Sequence, residues 1–117
     1  MNSEFNNNTP IYLQLVDKLL IEIISEKIKP GEKLLSVREL ALTMKVNPNT
    51  MQKALTELET MNLIYTERTN GKYVTNDTRI INKIKNTLIK AKINNFINDM
   101  NTIGITSEEI IKYLQIK

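Results

Sequence analysis

At 117 residues, with 41% hydrophobic and 25% charged side chains, the chain has the size and composition of one globular domain with a small appendage. It contains no cysteine and no histidine, so disulfides, thiolate or imidazole metal ligands, and cysteine or histidine catalysis are excluded. The formal net charge is +3, but residues 1–76 hold seven Lys and two Arg against eight Glu and one Asp. This part is therefore neutral, and the basic excess lies in residues 77–117.

Carboxylate pairs are the remaining candidates for catalysis. Glu57 with Glu59, and Glu108 with Glu109, lie in strongly helical stretches of the sequence. Acidic side chains in such stretches form solvated faces or helix caps far more often than acid–base sites. We therefore expect no enzyme, no cofactor and no metal.

The N-terminal sequence and the apolar runs bear on localisation. Residues 1–8 are Asn-rich and polar, where a secretory signal would be basic and then apolar, and we expect them to be flexible. The apolar stretch at residues 19–24 is interrupted by Glu22 and is too short to cross a membrane. The expectation is a cytoplasmic protein that does not associate with membranes.

The first predicted helix begins near Thr9, which is placed to act as an N-cap, with Pro10 at the first helical position. From Ile11 onward, apolar residues recur at helical spacing over a broad stripe, which predicts a buried helix to about Lys27. The Pro30-Gly31 pair that follows predicts a turn.

Two short capped helices follow. Ser36 and Glu39 have the spacing of a capping box, which predicts the start of the second helix. Asn47 precedes Pro48, so it is restricted to extended backbone and suits the N-cap of a third helix, which runs to about Met61. Two short helices joined by three or four residues are typical of a helix-turn-helix.

A β-hairpin is predicted directly after the third helix, which stops near Asn62. The segments 63–66 and 73–75 are rich in β-branched and aromatic residues, and Asn70-Gly71 between them favours a hairpin turn. A helix-turn-helix followed by such a hairpin is a winged helix.

The C-terminal part is predicted to contain two helices. Asn76-Asp77 is a junction that supplies an N-cap, and a long helix follows from about Thr78 to Asn101. Gly104 is placed to end it, and Thr106 with Glu109 forms a second capping box that opens the last helix.

The predicted fold is mainly α with a small β-hairpin. We predict a winged helix-turn-helix DNA-binding domain in residues 1–76 and a helical dimerisation segment of two helices in residues 77–117.

One face of the third helix carries the candidate DNA contacts. Its polar residues recur at i, i+3, i+4 and i+7 and include no carboxylate; they are Asn49, Gln52, Lys53 and Thr56. Asn and Gln can pair with adenine, while Lys can reach guanine or phosphate. Such a face on an isolated helix is more often a plain solvent surface, but the preceding helix and the following wing favour DNA binding.

Further candidates lie at the start of the second helix and in the wing. Ser36 and Arg38 are in a first helical turn, where free N–H groups and a guanidinium can hold phosphate, although Arg38 can equally pair with a nearby carboxylate. Gly71 and Lys72 at the wing can approach the minor groove or the backbone. Turn geometry alone also explains Gly71, and solubility explains Lys72.

The fourth helix carries more apolar surface than one short neighbouring helix can cover. A large exposed apolar patch usually marks a partner surface, so we predict a homodimer. The alternative is that this helix folds back on the first helix within one chain. The predicted dimerisation residues are Ile80, Ile84, Leu88, Ala91, Phe96, Ile97 and Met100.

Several segments together resemble the GntR family of bacterial regulators, and specifically its short YtrA-like branch. The resemblance covers nearly the whole chain, and its second and third helical motifs are highly specific. The matching segments are Pro10-Ile11-Tyr12-Leu13-Gln14, Lys29-Pro30-Gly31-Glu32-Lys33-Leu34, Ser36-Val37-Arg38-Glu39-Leu40-Ala41, Val46-Asn47-Pro48-Asn49-Thr50-Met51-Gln52-Lys53-Ala54, Leu63-Ile64-Tyr65-Thr66 and Ile103-Gly104-Ile105-Thr106-Ser107-Glu108-Glu109-Ile110.

The resemblance implies a two-helix dimerisation tail and repression of operons that contain transporter genes, often together with the regulator's own gene. The chain lacks the histidines with which some longer relatives bind metal, so no metal is predicted. The family's DNA contacts fall on Ser36, Arg38, Asn47, Asn49, Thr50, Gln52 and Gly71. The chain departs from the family pattern at Leu35, where proline is usual, and at Thr69, where a wing glycine is common.

The leading hypothesis is a homodimeric repressor that binds a palindromic double-stranded DNA operator. A winged-helix protein-interaction module without DNA binding is the alternative, and carboxylates on the recognition face would favour it. A hydrolase that uses glutamate pairs is a third, which lacks a supporting base. A small-molecule effector, if one exists, would bind at a dimer or interdomain seam, because the tail offers little room for an enclosed pocket. Neither the effector nor the operator can be identified from these residues, beyond adenines opposite Asn49 and Gln52.

Overall fold

A computed structural model describes residues 5–115, which form five helices and one antiparallel two-stranded sheet. The elements are α1 (Ile11–Ile24), α2 (Val37–Met44), α3 (Pro48–Thr60), β1 (Ile64–Glu67), β2 (Gly71–Val74), α4 (Thr78–Thr102) and α5 (Ser107–Leu114). This order confirms the predicted fold class, a helix-turn-helix with a hairpin wing followed by two helices. The chain divides between Asn82 and Lys83 into two compact units.

The core of the first unit is built around α3. It packs against both α1 and α2, and its end also contacts β1. The apolar stripes predicted for α1 and α3 supply most of the core, and each such side chain contributes roughly 1.5–3 kcal/mol by leaving water. The largest fully buried side chains among the described residues are Leu15, Leu19, Ile23, Met51, Leu55, Leu58, Leu63 and Val74.

The ends of α1 differ from the prediction. Pro10, not Thr9, is the N-cap residue, and it makes no side-chain capping hydrogen bond. The helix ends at Ile24, three residues before Lys27, because Glu26 adopts a left-handed φ of 63°. A non-glycine residue in this conformation leaves no local signal in the sequence.

The capping predictions for α2 and α3 are confirmed. The Ser36 N–H donates to Glu39 Oε1 at 2.9 Å, and Ser36 Oγ accepts from the Glu39 N–H at 3.1 Å, which completes the capping box. The Asn47 side chain accepts from the Asn49 N–H at 2.8 Å, and Pro48 is the first residue of α3. α2 ends at Met44, and its C-cap residue Lys45 has a left-handed φ of 57°.

The wing is confirmed, but its turn differs from the simple Asn-Gly type. Glu67 pairs with Gly71, so three residues (68–70) form the loop. Gly71 has a positive φ of 109°, whereas Asn70 is not among the described residues with positive φ. This matches a three-residue hairpin loop with its glycine just after the turn.

The segment before α2 also pairs with the wing, which the sequence did not predict. The Leu34 N–H donates to the Lys72 carbonyl at 2.8 Å, and the Val74 N–H donates to the Glu32 carbonyl at 2.9 Å. Lys33 thereby forms an isolated bridge with Tyr73. These bonds join the wing to the entry of α2.

The C-terminal helices begin and end at the expected signals. Asp77 Oδ1 accepts from the Arg79 N–H at 3.0 Å at the start of α4, and Gly104 follows the helix with a φ of 84°. Thr106 and Glu109 form both bonds of the capping box that opens α5. Within residues 5–115, no helix combines the length and the apolar character needed to cross a membrane.

The prediction of flexibility for residues 1–8 falls partly outside the described residues, which begin at residue 5. Asn6 is held against α1, because its N–H donates to Gln14 Oε1 at 3.0 Å and its carbonyl accepts from Gln14 Nε2 at 2.9 Å.

Candidate nucleic-acid interface

The predicted recognition face of α3 is a continuous polar surface. Asn49, Gln52, Lys53 and Thr56 are all exposed, while the opposite side of the helix is buried in the core. Thr50, which only the family resemblance singled out, is half-buried. The fold therefore presents the amide, ammonium and hydroxyl groups of this face to solvent together.

Internal contacts hold three members of this face. The Gln52 amide nitrogen lies 3.4 Å from Thr56 Oγ1, and Thr56 Oγ1 donates to the Gln52 carbonyl at 2.9 Å. The Lys53 ammonium lies over the Tyr12 ring of α1, 4.0 Å from its centroid, in a cation–π contact. Tyr12 was not among the predicted site residues, because a contact between α1 and α3 has no signature in local sequence.

The first turn of α2 carries the second group of candidates. Arg38 is exposed, and within residues 5–115 it has no ion-pair partner. The hydrogen bonds from the Ser36 backbone and side chain lower the pKa of the Glu39 carboxyl, and nearby Lys33 lowers it further. The Glu39 charge is therefore committed to the cap, while Arg38 and the Ser36 hydroxyl proton remain available to an anion.

An open cleft of about 550 Å³ separates this turn from the wing. Leu35 and Ser36 line one side, and Gly71 and Lys72 line the other. Leu35, which stands where the family usually has proline, is 52% exposed. The cleft brings Ser36 together with Gly71 and Lys72 of the wing on a single concave surface, whereas Arg38 does not line it.

The two wing candidates differ in their surroundings. Gly71 is exposed, and its φ of 109° requires glycine for backbone reasons alone. The Lys72 ammonium instead forms an ion pair with Glu59 of α3 and donates to Thr66 Oγ1 at 2.9 Å. Lys72 is therefore engaged within the protein, which differs from the alternative of a charge that serves only solubility, while its predicted approach to DNA stays a prediction.

The predicted dimerisation residues lie along α4 with graded exposure. Ala91 and Phe96 are exposed, and the half-buried members are Ile80, Ile84, Leu88, Ile97 and Met100. The second unit exposes further apolar side chains, namely Ile89, Ile93, Ile103, Ile111, Tyr113 and Leu114. The buried residue of α4 is Ile81, which the prediction did not include.

The described residues contain no group of three or more acidic side chains close enough to hold a metal ion. The resolved shifts in carboxyl pKa belong to caps and ion pairs. Lys72 and Thr66 lower the pKa of Glu59, and Arg79 lowers the pKa of Asp77.

Comparison with known proteins gives consistent matches. Residues 11–74 match the family model described as bacterial regulatory proteins, gntR family. The chain is 34% identical over 112 residues to the HTH-type transcriptional regulator YhcF of Bacillus subtilis, with 96% of this chain and 93% of that protein covered. It is also 34% identical over 110 residues to the HTH-type transcriptional repressor YtrA of Bacillus subtilis, with 93% of this chain and 85% of that protein covered.

Solved structures extend these matches to the fold. A GntR family transcriptional regulator from Listeria monocytogenes superposes with a TM-score of 0.88 at 43% identity, over 97% of this chain and 100% of that chain. The structure of AraR(DBD) in complex with operator ORX1 matches at a TM-score of 0.58 and 26% identity, over 62% of this chain and 93% of that chain.

Proposed function

Because this chain belongs to the GntR family of bacterial regulatory proteins, we propose that it is a cytoplasmic, homodimeric repressor that binds a palindromic DNA operator. The family match and the near full-length relatives confirm the resemblance found in the sequence, including its YtrA-like branch, and the prediction of a regulator rather than an enzyme. The observation that carries the proposal is the exposed, carboxylate-free face of α3, held in place by capped helices and a wing.

In the proposed complex, the N-terminal half of α3 enters the major groove. Asn49 and Gln52 read base edges, with adenine as the natural partner of each amide. Lys53 and Thr56 contact bases or phosphates on the same face, and Asn47 and Thr50 add contacts at the start of the helix.

Phosphate contacts set the orientation of α3 on the duplex. Arg38 clamps one phosphate, and the Ser36 hydroxyl and the free N–H groups of the first turn of α2 bind beside it. The backbone at Gly71 approaches the duplex from the wing. Such contacts need local donors and not an overall positive charge, which is how residues 1–76 bind DNA although their formal charge is zero.

A second copy of the chain covers the apolar surface of the C-terminal helices. Ile93 and Phe96 of α4 are 51% and 45% exposed, and Leu114 of α5 is 73% exposed. An isologous contact of these faces places two recognition helices about one DNA turn, or 34 Å, apart. In this proposal residues 1–76 bind DNA and residues 77–117 dimerise. The repressed genes include a transporter operon, as the resemblance implies.

Selection of DNA from a random pool by the purified full chain tests the function. We expect one enriched palindromic sequence, whose gel shift weakens steeply with salt because phosphate contacts release counterions. Arg38→Ala and Gln52→Ala each weaken binding roughly tenfold or more, on the scale of single specific contacts. Arg79→Ala removes the same charge from α4 and serves as the matched control, with little expected effect.

Undiminished specific binding by both Arg38→Ala and Gln52→Ala would overturn the residue assignment. A selection that enriches no sequence would overturn DNA binding itself and favour a protein-interaction module. Sedimentation tests the dimer separately: Phe96→Glu is expected to yield monomers, while the exposed polar position Asn98→Glu leaves the dimer intact. A monomeric wild type would refute dimerisation.

A further inference from the structure

One ionic contact joins the recognition helix to both strands of the wing. Glu59 lies in the last turn of α3, Thr66 in β1 and Lys72 in β2. Glu59 Oε1 accepts from the Thr66 hydroxyl at 2.9 Å and pairs with the Lys72 ammonium, which also donates to Thr66 Oγ1 at 2.9 Å. The three side chains therefore form a closed network.

The network attaches to the wing near its tip. Thr66 and Lys72 are register partners in the sheet, and only the pair Glu67 with Gly71 separates them from the loop. The Glu59 carboxylate thus holds both strands at the same position along the hairpin. The other end of the wing is fixed differently, since the Leu63 N–H donates to the Leu58 carbonyl and the Thr75 N–H donates to the Leu63 carbonyl.

Both charges of the pair are partly withdrawn from solvent. The Lys72 side chain is 17% exposed and that of Glu59 is 34% exposed, so the pair is more shielded than an ordinary surface ion pair. The pKa of Glu59 lies below its ordinary value, chiefly because of the hydrogen bond from Lys72. The ammonium of Lys72 donates to Glu59 and Thr66, and the Glu59 carboxylate offsets its charge.

We propose that Glu59 is a positioning residue that fixes the wing against the recognition helix, and that Lys72 serves DNA binding through Glu59 and not by contacting DNA. The inference rests on the proposed DNA-binding function. It follows from the geometry because a two-stranded hairpin is marginally stable by itself and needs packing to hold its direction. Backbone hydrogen bonds tie β2 to the segment before α2, and the Glu59 network adds the side-chain contact that holds both strands to α3 near the tip.

Glu59 could be a plain surface carboxylate or a positioning residue, and the two roles predict opposite changes in DNA affinity when the carboxylate is removed. Removing a carboxylate from a DNA-binding surface ordinarily leaves affinity unchanged or raises it, because repulsion from phosphate is relieved. If Glu59 positions the wing, Glu59→Ala lowers affinity for the selected operator, by about three- to fivefold on the scale of coupled surface pairs. Glu57→Ala, two residues earlier in α3 and exposed, removes the same charge and is the matched control.

A double-mutant cycle separates the roles of Lys72. If Lys72 is a positioning residue, Lys72→Met weakens DNA binding in the wild-type background. The same substitution then has almost no further effect on affinity in the Glu59→Ala background. The salt dependence of binding stays the same. If Lys72 instead contacts a phosphate directly, Lys72→Met lowers affinity equally in both backgrounds and reduces the slope of log affinity against log salt by about 0.9. Lys72→Arg preserves the pair and is expected to bind like wild type.

Hydroxyl-radical footprinting supplies a readout that general destabilisation would not move. In Glu59→Ala we expect lost protection of the sugars where the wing approaches the DNA backbone and retained protection of the sugars that flank the α3 contact. Uniform weakening of the whole footprint, or binding of Glu59→Ala as tight as that of Glu57→Ala, overturns the inference. A wild-type protein that binds no operator overturns the proposed function instead, so the two failures are distinguishable.

Discussion

Leu58→Ala is expected to destabilise the first unit strongly, because Leu58 is 0% exposed and lies on the core side of α3. The substitution removes three buried carbon atoms and leaves a cavity between packed elements. Truncation of a fully buried leucine to alanine lowers the free energy of unfolding by about 3 kcal/mol, within the usual range of roughly 2–5 kcal/mol. For a domain of this size the loss lowers the melting temperature by roughly 12–24 °C.

Urea denaturation followed by circular dichroism, at one fixed protein concentration, measures this loss. Leu42→Ala on α2 is the matched control, because Leu42 is 75% exposed and its removal is expected to change stability by no more than about 0.5 kcal/mol. Equal losses for Leu58→Ala and Leu42→Ala would refute the placement of α3 in the core.

Three further outcomes test local features. Thr106→Ala removes the cap of α5 and costs about 1 kcal/mol, seen as roughly fivefold faster amide exchange in that helix. Gly104→Ala lowers the melting temperature, because its φ of 84° imposes backbone strain of about 1 kcal/mol on alanine. Backbone strain is the whole cost, since an added Cβ meets no atom within 4 Å. Gly104→Asn costs less, because asparagine tolerates this conformation better. The lowered pKa of Glu59 means that its contribution to stability is present at neutral pH and is lost as pH falls through that pKa. In urea titrations the difference in unfolding free energy between wild type and Glu59→Ala therefore narrows as the pH falls through this lowered pKa, and a difference that widens in acid would contradict the ion pair.

Features specified by nearby residues could be predicted from the sequence. The Ser36–Glu39 and Thr106–Glu109 capping boxes and the Asn47-Pro48 start of α3 each depend on residues within one helical turn. Their side chains satisfy N–H groups that every helix start leaves free, so composition and spacing reveal them. The polar face of α3 could likewise be predicted, because helical periodicity places its residues on one side.

Contacts between distant segments could not be predicted. The end of α1 depends on the left-handed Glu26, which carries no glycine signal, and the pairing of Lys33 with Tyr73 spans 40 residues of sequence. The engagement of Lys53 with Tyr12 also arises from tertiary packing.

The same limit explains the different interpretation of Lys72. Its position beside Gly71 suggested an exposed wing charge, but its ammonium reaches the carboxylate of Glu59 on another element. Local sequence shows which groups a residue carries, while the fold decides which of them remain available to a partner.

The central claim is sequence-specific binding of DNA by the α3 face. Fluorescence anisotropy of the full chain with the selected palindrome and with a scrambled duplex, at one physiological salt concentration, tests it most directly. We predict affinity for the palindrome at least roughly a thousandfold tighter than for the scrambled duplex, and a preference reduced roughly tenfold or more in Gln52→Ala. Equal affinity for the two duplexes would contradict the account.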